Sequence, residues 1–145
     1  MRQFLLKTVL VSIMVVLFGC GTQPQPTISE TTQIPAEAGM GLMRGQLLDQ
    51  NNQPLANRSV RLAAVYGEGE QQAYVADESG GVGGVTDAAG AFAIANIPPG
   101  KYVVLLVLRE GISLALMQKN GTERIIEIRP DVLFDLGPAA ITIPQ

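Results

Sequence analysis

The sequence has no histidine and no tryptophan, and its single cysteine, Cys20, has no partner with which to close an internal disulfide. Without histidine the chain lacks the usual general base, the commonest metal ligand and the usual pH switch near neutrality. Charged residues make up only 16% of the chain and form no block of one sign, so neither a basic patch nor an acidic tail is present. Long amphipathic helical patterns and internal repeats are also missing. Glycine (16) and proline (9) are plentiful instead, a composition that favours short strands and tight turns over helices. At 145 residues there is room for one compact domain.

The first forty residues differ from the rest. Arg2 and Lys7 precede an apolar run from Val9 to Phe18, broken only by Ser12, and then Gly19-Cys20; this is the layout of an export signal. A spanning helix needs roughly 20 apolar residues, more than this run supplies. Leu17-Phe18-Gly19-Cys20 resembles a bacterial lipobox. The resemblance implies a helical signal peptide over residues 1–19, cleavage before Cys20 and a lipid on its thiol. Gly21 rather than aspartate after Cys20 leaves out, by the same resemblance, an inner-membrane retention signal. The expected location is the cell membrane or the outer membrane, with the domain outside the cytoplasm. Each buried methylene of an acyl chain contributes about 0.8 kcal/mol, so two or three chains hold a soluble domain on a bilayer. Losing Arg2 and Lys7 with the leader leaves eight basic side chains against 13 acidic ones, a net of about −5 that disfavours nucleic acid as a partner.

Residues 20–39 read as a lipidated cysteine and a flexible tether: Thr, Gln, Pro, Ser and Glu dominate, with Ile28 and Ile34 the only large apolar residues. Fully extended, such a segment covers about 3.1 Å per residue. From Met40 to Gln145 short apolar stretches alternate with turn signals every 8 to 15 residues or so, the pattern of an all-β sandwich. About seven strands are expected. The first runs from Leu42 to Leu48 and the second from Ser59 to Tyr66, with Val60, Leu62, Ala64 and Tyr66 facing the core. Residues Gly67 to Gly83 read as a long loop with room for one short edge strand. Asp87-Ala88-Ala89-Gly90 makes a hairpin turn ahead of Phe92 and Ile94. Lys101 to Leu108 is apolar at nearly every position, as in a strand covered on both faces. Ile112 to Met117, Arg124 to Arg129, Val132 to Leu136 and Ala140 to Ile143 complete the set.

In order along the chain, Gly45-x-Leu47-x-Asp49, Pro54-Leu55, Val60-x-Leu62, Thr86-Asp87-x-x-Gly90-x-Phe92 and Pro99-Gly100-x-Tyr102-x-Val104 resemble the carboxypeptidase regulatory-like domain. The resemblance covers Met40 to Leu108 and implies a transthyretin-like, Greek-key sandwich of seven strands, related to the B-type repeats of collagen adhesins and to some starch-binding modules. Each piece also has a plain physical reading: Asp-x-x-Gly turns a hairpin, Phe92 and Tyr102 fill a core, Pro-Gly reverses the chain. The adhesin repeats carry a Lys–Asn isopeptide bond. Here the first strand has Arg44 and the segment Ala140 to Gln145 has no asparagine, so none is expected.

No spacing puts a nucleophile beside an activated base, so no catalytic residue and no cofactor is assigned. Gly80-Gly81-Val82-Gly83-Gly84 lacks the lysine and helix of a phosphate-binding loop. Asp77, Glu78 and Asp87 match no calcium-loop spacing and read as solvated turn acids, so no metal is expected. Asn57-Arg58-Ser59 and Asn120-Gly121-Thr122 match glycosylation acceptors formally and read as turns. Tyr74 and Asp77, in the 67–83 loop, are the residues best placed to touch a ligand. The sequence thus points to a non-catalytic, lipid-anchored module of the cell envelope, attached to the membrane through Cys20, with an envelope protein or a polysaccharide as partner. The role is structural or one of protein interaction; the alternative is a carbohydrate- or peptide-binding module that uses the 67–83 loop.

Overall fold

A computed structural model of the chain describes residues 35–76 and 81–144. The leader, Cys20, residues 21–34 and Asp77 lie outside the described residues. The chain divides into two units, Met1–Glu30 and Thr31–Gln145, and every element below belongs to the second.

The described residues form an all-β sandwich. Its strands are β1 (Gly41–Leu48), β2 (Ser59–Tyr66), β3 (Ala73–Val75), β4 (Gly83–Val85), β5 (Ala91–Ile97), β6 (Gly100–Arg109), β7 (Ile112–Ala115), β8 (Ile125–Ile128) and β9 (Leu133–Ala140). One sheet has the order β5-β1-β9; the other is built on β2 and β6. In this second sheet β3 and β4 both pair with β2, at Ala64–Tyr66 and at Ser59–Arg61. β7 and β8 likewise share one side of β6, at Leu105–Arg109 and at Gly100–Val103. Each outer position is therefore one strand interrupted by an excursion, at residues 76–82 on one side and 116–124 on the other. Merging each pair reduces nine strands to seven strand positions, the number expected from the sequence. The excursions are not waste, since Leu116 is buried and Val82 packs against the core.

Two details depart from expectation. In place of separate segments at Val132–Leu136 and Ala140–Ile143 there is one strand, β9, which runs through Gly137 and Pro138 and ends at Ala140. A register shift against β1 between Arg44 and Gln46 absorbs them, and an edge strand can spare the missing N–H of proline. Tyr66, the last residue of β2, is 62% exposed rather than in the core. Tyr74 lies in β3, the short edge strand for which the 67–83 loop had room, preceded by a short 3-10 turn at Gly69–Gln71.

The core lies between the sheets: Met43 and Leu47 from β1, Val60 and Leu62 from β2, Phe92, Ile94 and Ile97 from β5, and Tyr102, Val104 and Leu106 from β6. Alternation along a strand puts Ala63, Val103 and Leu105 on the other face of the larger sheet. There they form a second buried cluster, flanked by Val65 and Ala115, so β6 is covered on both faces as its unbroken apolar run requires.

The motif residues form one connected structure. Gly45 lies opposite Phe92 in the β1–β5 register, and a Cβ on it would sit 3.0 Å from the Phe92 ring and 2.9 Å from the Leu136 Cβ. Glycine there makes the space that the aromatic ring occupies. Gly90 has φ +75°, which glycine adopts without cost, and its carbonyl accepts from Leu47 N–H at 2.8 Å. Thr86 is the one buried polar side chain among the described residues. Its hydroxyl accepts from Arg58 N–H at 2.9 Å and donates to the Leu55 carbonyl, which pins the β1–β2 loop to the β4–β5 hairpin. Tyr102 donates its hydroxyl to the Pro98 carbonyl at 2.8 Å. Burial, and then the nearby Tyr66, push its phenol above its ordinary pKa.

Candidate functional site

Two places concentrate features beyond core packing. The first is the end of the sandwich where the chain arrives. Glu37 N–H donates to Asn96 Oδ1 at 2.7 Å, and Gly39 N–H donates to Asp131 Oδ1 at 2.8 Å. Asp131 N–H in turn donates to the Met40 carbonyl at 2.9 Å. Asn96 (φ +56°) and Asp131 (φ +58°) both have left-handed backbones, a conformation these two residue types tolerate better than most. They hold the incoming chain between the β5–β6 and β8–β9 turns. The sequence reading did not single them out; its only signal was an Asn and an Asp beside prolines, at Ile97-Pro98 and at Pro130.

The second place is a cleft of about 150 Å³ on the outer face of the larger sheet, lined by Arg61, Ala76, Leu105, Val107, Glu110, Gly111 and Ser113. Its floor is apolar, from β6, and its rim carries a cation, a carboxylate and a hydroxyl. It is bounded by the start of the 76–82 excursion and by the β6–β7 turn. Tyr74 is on this same face, because it pairs with Val65, and it is 41% exposed. Val65 is four residues from Arg61, a separation of about 13 Å along β2. Of the two ligand-contact candidates from the sequence, Tyr74 is thus near but not in the cleft, and Asp77 lies outside the described residues, as does Cys20. Arg61, Glu110 and Ser113 escaped the sequence reading because three separate elements contribute them, and only strand pairing brings them together.

Two turn acids, Asp87 and Asp49, are occupied by local backbone. Asp87 Oδ1 accepts from the N–H groups of Ala89 and Ala91 at 2.8 and 2.9 Å, and Asp49 Oδ1 accepts from Asn51 and Gln53 at 2.7 and 2.8 Å. This is turn chemistry, in which a side-chain carboxylate stands in for a backbone acceptor. Among the described residues no group of three or more acidic or cysteine side chains is placed to hold a metal ion. Arg44 and Asp135 form an ion pair across β1 and β9 at 2.7 Å. The guanidinium hydrogen bond first, and then the Gly137 N–H, hold the Asp135 carboxyl below its ordinary pKa.

No family model matches the chain, and no curated protein matches it. Among solved structures it is similar to the TIE protein of Bacillus anthracis, at 14% identity and a TM-score of 0.42, over 70% of this chain and 16% of that one. It is similar to BcpA, the major pilin subunit of Bacillus cereus, at 17% identity and a TM-score of 0.40, over 71% of this chain and 29% of that one. A candidate carbohydrate-binding protein of Pseudomonas aeruginosa, PA1324, is similar at 14% identity and a TM-score of 0.45, over 74% of this chain and 92% of that one. The chain therefore spans less than a third of the first two proteins. These are distant likenesses among sheet-rich chains, which include a pilin subunit and a candidate binding protein.

Proposed function

We propose that this protein is a non-catalytic β-sandwich of the carboxypeptidase regulatory-like type, held at the cell envelope by a lipid on Cys20 and serving as a structural or protein-interaction module. The observation that supports this reading most directly is the way the chain enters the sandwich. Glu37 and Gly39 are already bonded to Asn96 and Asp131, so only 16 residues, 21–36, separate Cys20 from the first of these bonds. A free segment of that length has a root-mean-square reach of roughly 20 to 25 Å, which keeps a domain close to the surface that holds its anchor. The anchor is tested by the intact mass of protein purified from membranes. A chain that starts at Cys20 and carries added acyl mass, with Cys20→Ala released to the soluble fraction, supports the reading. An unmodified chain, or one that retains Met1, overturns it.

The cleft favours a second reading, a binding module for carbohydrate or peptide that uses the face shared by Tyr74 and the 67–83 segment. An apolar floor with a few polar groups at the rim is the usual composition of a small-ligand site. Titration with a panel of glycans and extended peptides, followed through the Tyr74 amide signal, tests it. Saturable shifts that Tyr74→Ala abolishes support the reading; silence across the panel counts against it.

A further inference from the structure

We infer that the sandwich is built to bear tension between its incoming tether and the segment after β9, with the β1–β9 ladder as the element that carries it. Among the nine described strands the first and the last are hydrogen-bonded neighbours, and they run parallel, paired from Leu42 opposite Leu133 to Leu48 opposite Ala140 with one register shift between Arg44 and Gln46. The tether leaves the start of β1, and the following segment leaves the far end of β9. Tension between these points draws the two strands past each other along their own axes. In that shear geometry the bonds of the ladder are loaded together and must fail together, whereas a ladder pulled open from one end loses its bonds one at a time. The load also passes directly from β1 to β9. Strands β2 to β8 and the cleft are outside its path.

The ladder is reinforced at both ends and in the middle. At its start Leu42 N–H donates to the Val132 carbonyl at 3.2 Å and Asp131 N–H to the Met40 carbonyl at 2.9 Å, with Gly39 N–H on Asp131 Oδ1. In the middle the Arg44 guanidinium reaches Asp135 Oδ2 through two nitrogens, Nε at 2.8 Å and Nη2 at 2.7 Å. At its end Ile141 N–H donates to the Leu48 carbonyl at 2.9 Å, and Ile143 N–H to Gln50 Oε1 at 3.2 Å. On its other side β1 is held along its length by β5, so it cannot slip out alone. The register shift at Gly137-Pro138 weakens one position of an otherwise continuous ladder.

The use of this property in the cell rests on the anchored-module reading, but the property itself does not, and the two fail separately. The full chain, made without export so that the Cys20 thiol is free, carries one handle on Cys20. The second handle is attached either to a cysteine appended after Gln145 or to Val132→Cys, an exposed position at the start of β9. The first pair shears the ladder and the second peels it from its open end. Because forced unfolding reads the barrier along the pulled direction, the shear pair is expected to unfold in one event at a higher force than the peeling pair. Arg44→Gln is expected to lower the shear force and leave the peeling force unchanged. Equal forces in the two geometries, or an equal loss from Arg44→Gln in both, would overturn the inference. The membrane-fraction mass measurement, made on exported protein, decides the anchor independently.

Discussion

The two sheets of this sandwich share one core but are finished differently. The β5-β1-β9 sheet has three uninterrupted strands, of which two hold the chain's points of arrival and departure. The β2–β6 sheet has two long central strands, flanked on each side by strands of three or four residues that break off and resume. The first sheet pairs the first described strand with the last, and the second carries the cleft and both interrupted edges. Its excursions begin beside the cleft and beside the exposed Met117, whereas the first sheet offers its edge mainly as Leu133, Asp135, Gly137 and Pro138.

Core truncation asks how far the sheets depend on each other and should have the largest effect. Leu47→Ala in β1 and Leu106→Ala in β6 each remove a side chain with no exposure and should cost about 3 kcal/mol in urea unfolding. Equal losses with a single transition mean one shared core; two transitions would break the sandwich into separately melting sheets. Next is the polar pin between the layers. Thr86→Val strips partners from Arg58 N–H and the Leu55 carbonyl and should cost about 2 kcal/mol, measured in the same way.

A smaller effect tests the first sheet alone. Asp135 has a depressed pKa in the folded state, so it stabilises the fold above its unfolded pKa, near 3.8, and loses that contribution as pH falls through the lower folded value. Asp135→Asn should be less stable than the parent at neutral pH and equal to it in strong acid, as urea melts at the two pH values will read. The pair is half-exposed, so solvent screening keeps the gap small. The second sheet's edge predicts the smallest change. Tyr74→Ala should leave stability within about 0.5 kcal/mol, and amide exchange should be faster at Ala73–Val75 than at Met43–Leu47, since exposed edge bonds open without unfolding the domain. Protection of β3 equal to that of β1 would remove the contrast between the sheets.

Much of the fold is legible along the chain because its signals are local. Asp87 and Gly90 specify their turn through backbone geometry, and Val60 with Leu62, or Phe92 with Ile94, mark an inward face by alternation alone. The apolar run Lys101–Leu108 announces a strand covered on both sides, and Val103 and Leu105 are indeed buried on the face away from the core. The extent of β9 is not legible locally, because Gly137-Pro138 interrupts its pattern and only the neighbouring β1, by a register shift, accommodates them in one strand. The cleft was unreadable for a similar reason: Arg61, Glu110 and Ser113 become neighbours through pairing between distant segments, and no spacing records that.

The sequence by itself determined the class of structure, its turns and most of its core. These follow from residue types acting on their own backbone or on near neighbours. The tertiary structure alone decided that the first and last strands lie side by side and parallel, that Asn96 and Asp131 receive the incoming chain, and that two outer strands are each split in two. Those features depend on which strands find each other across the whole chain, a choice made by burial of the shared core and not by any segment's own preference.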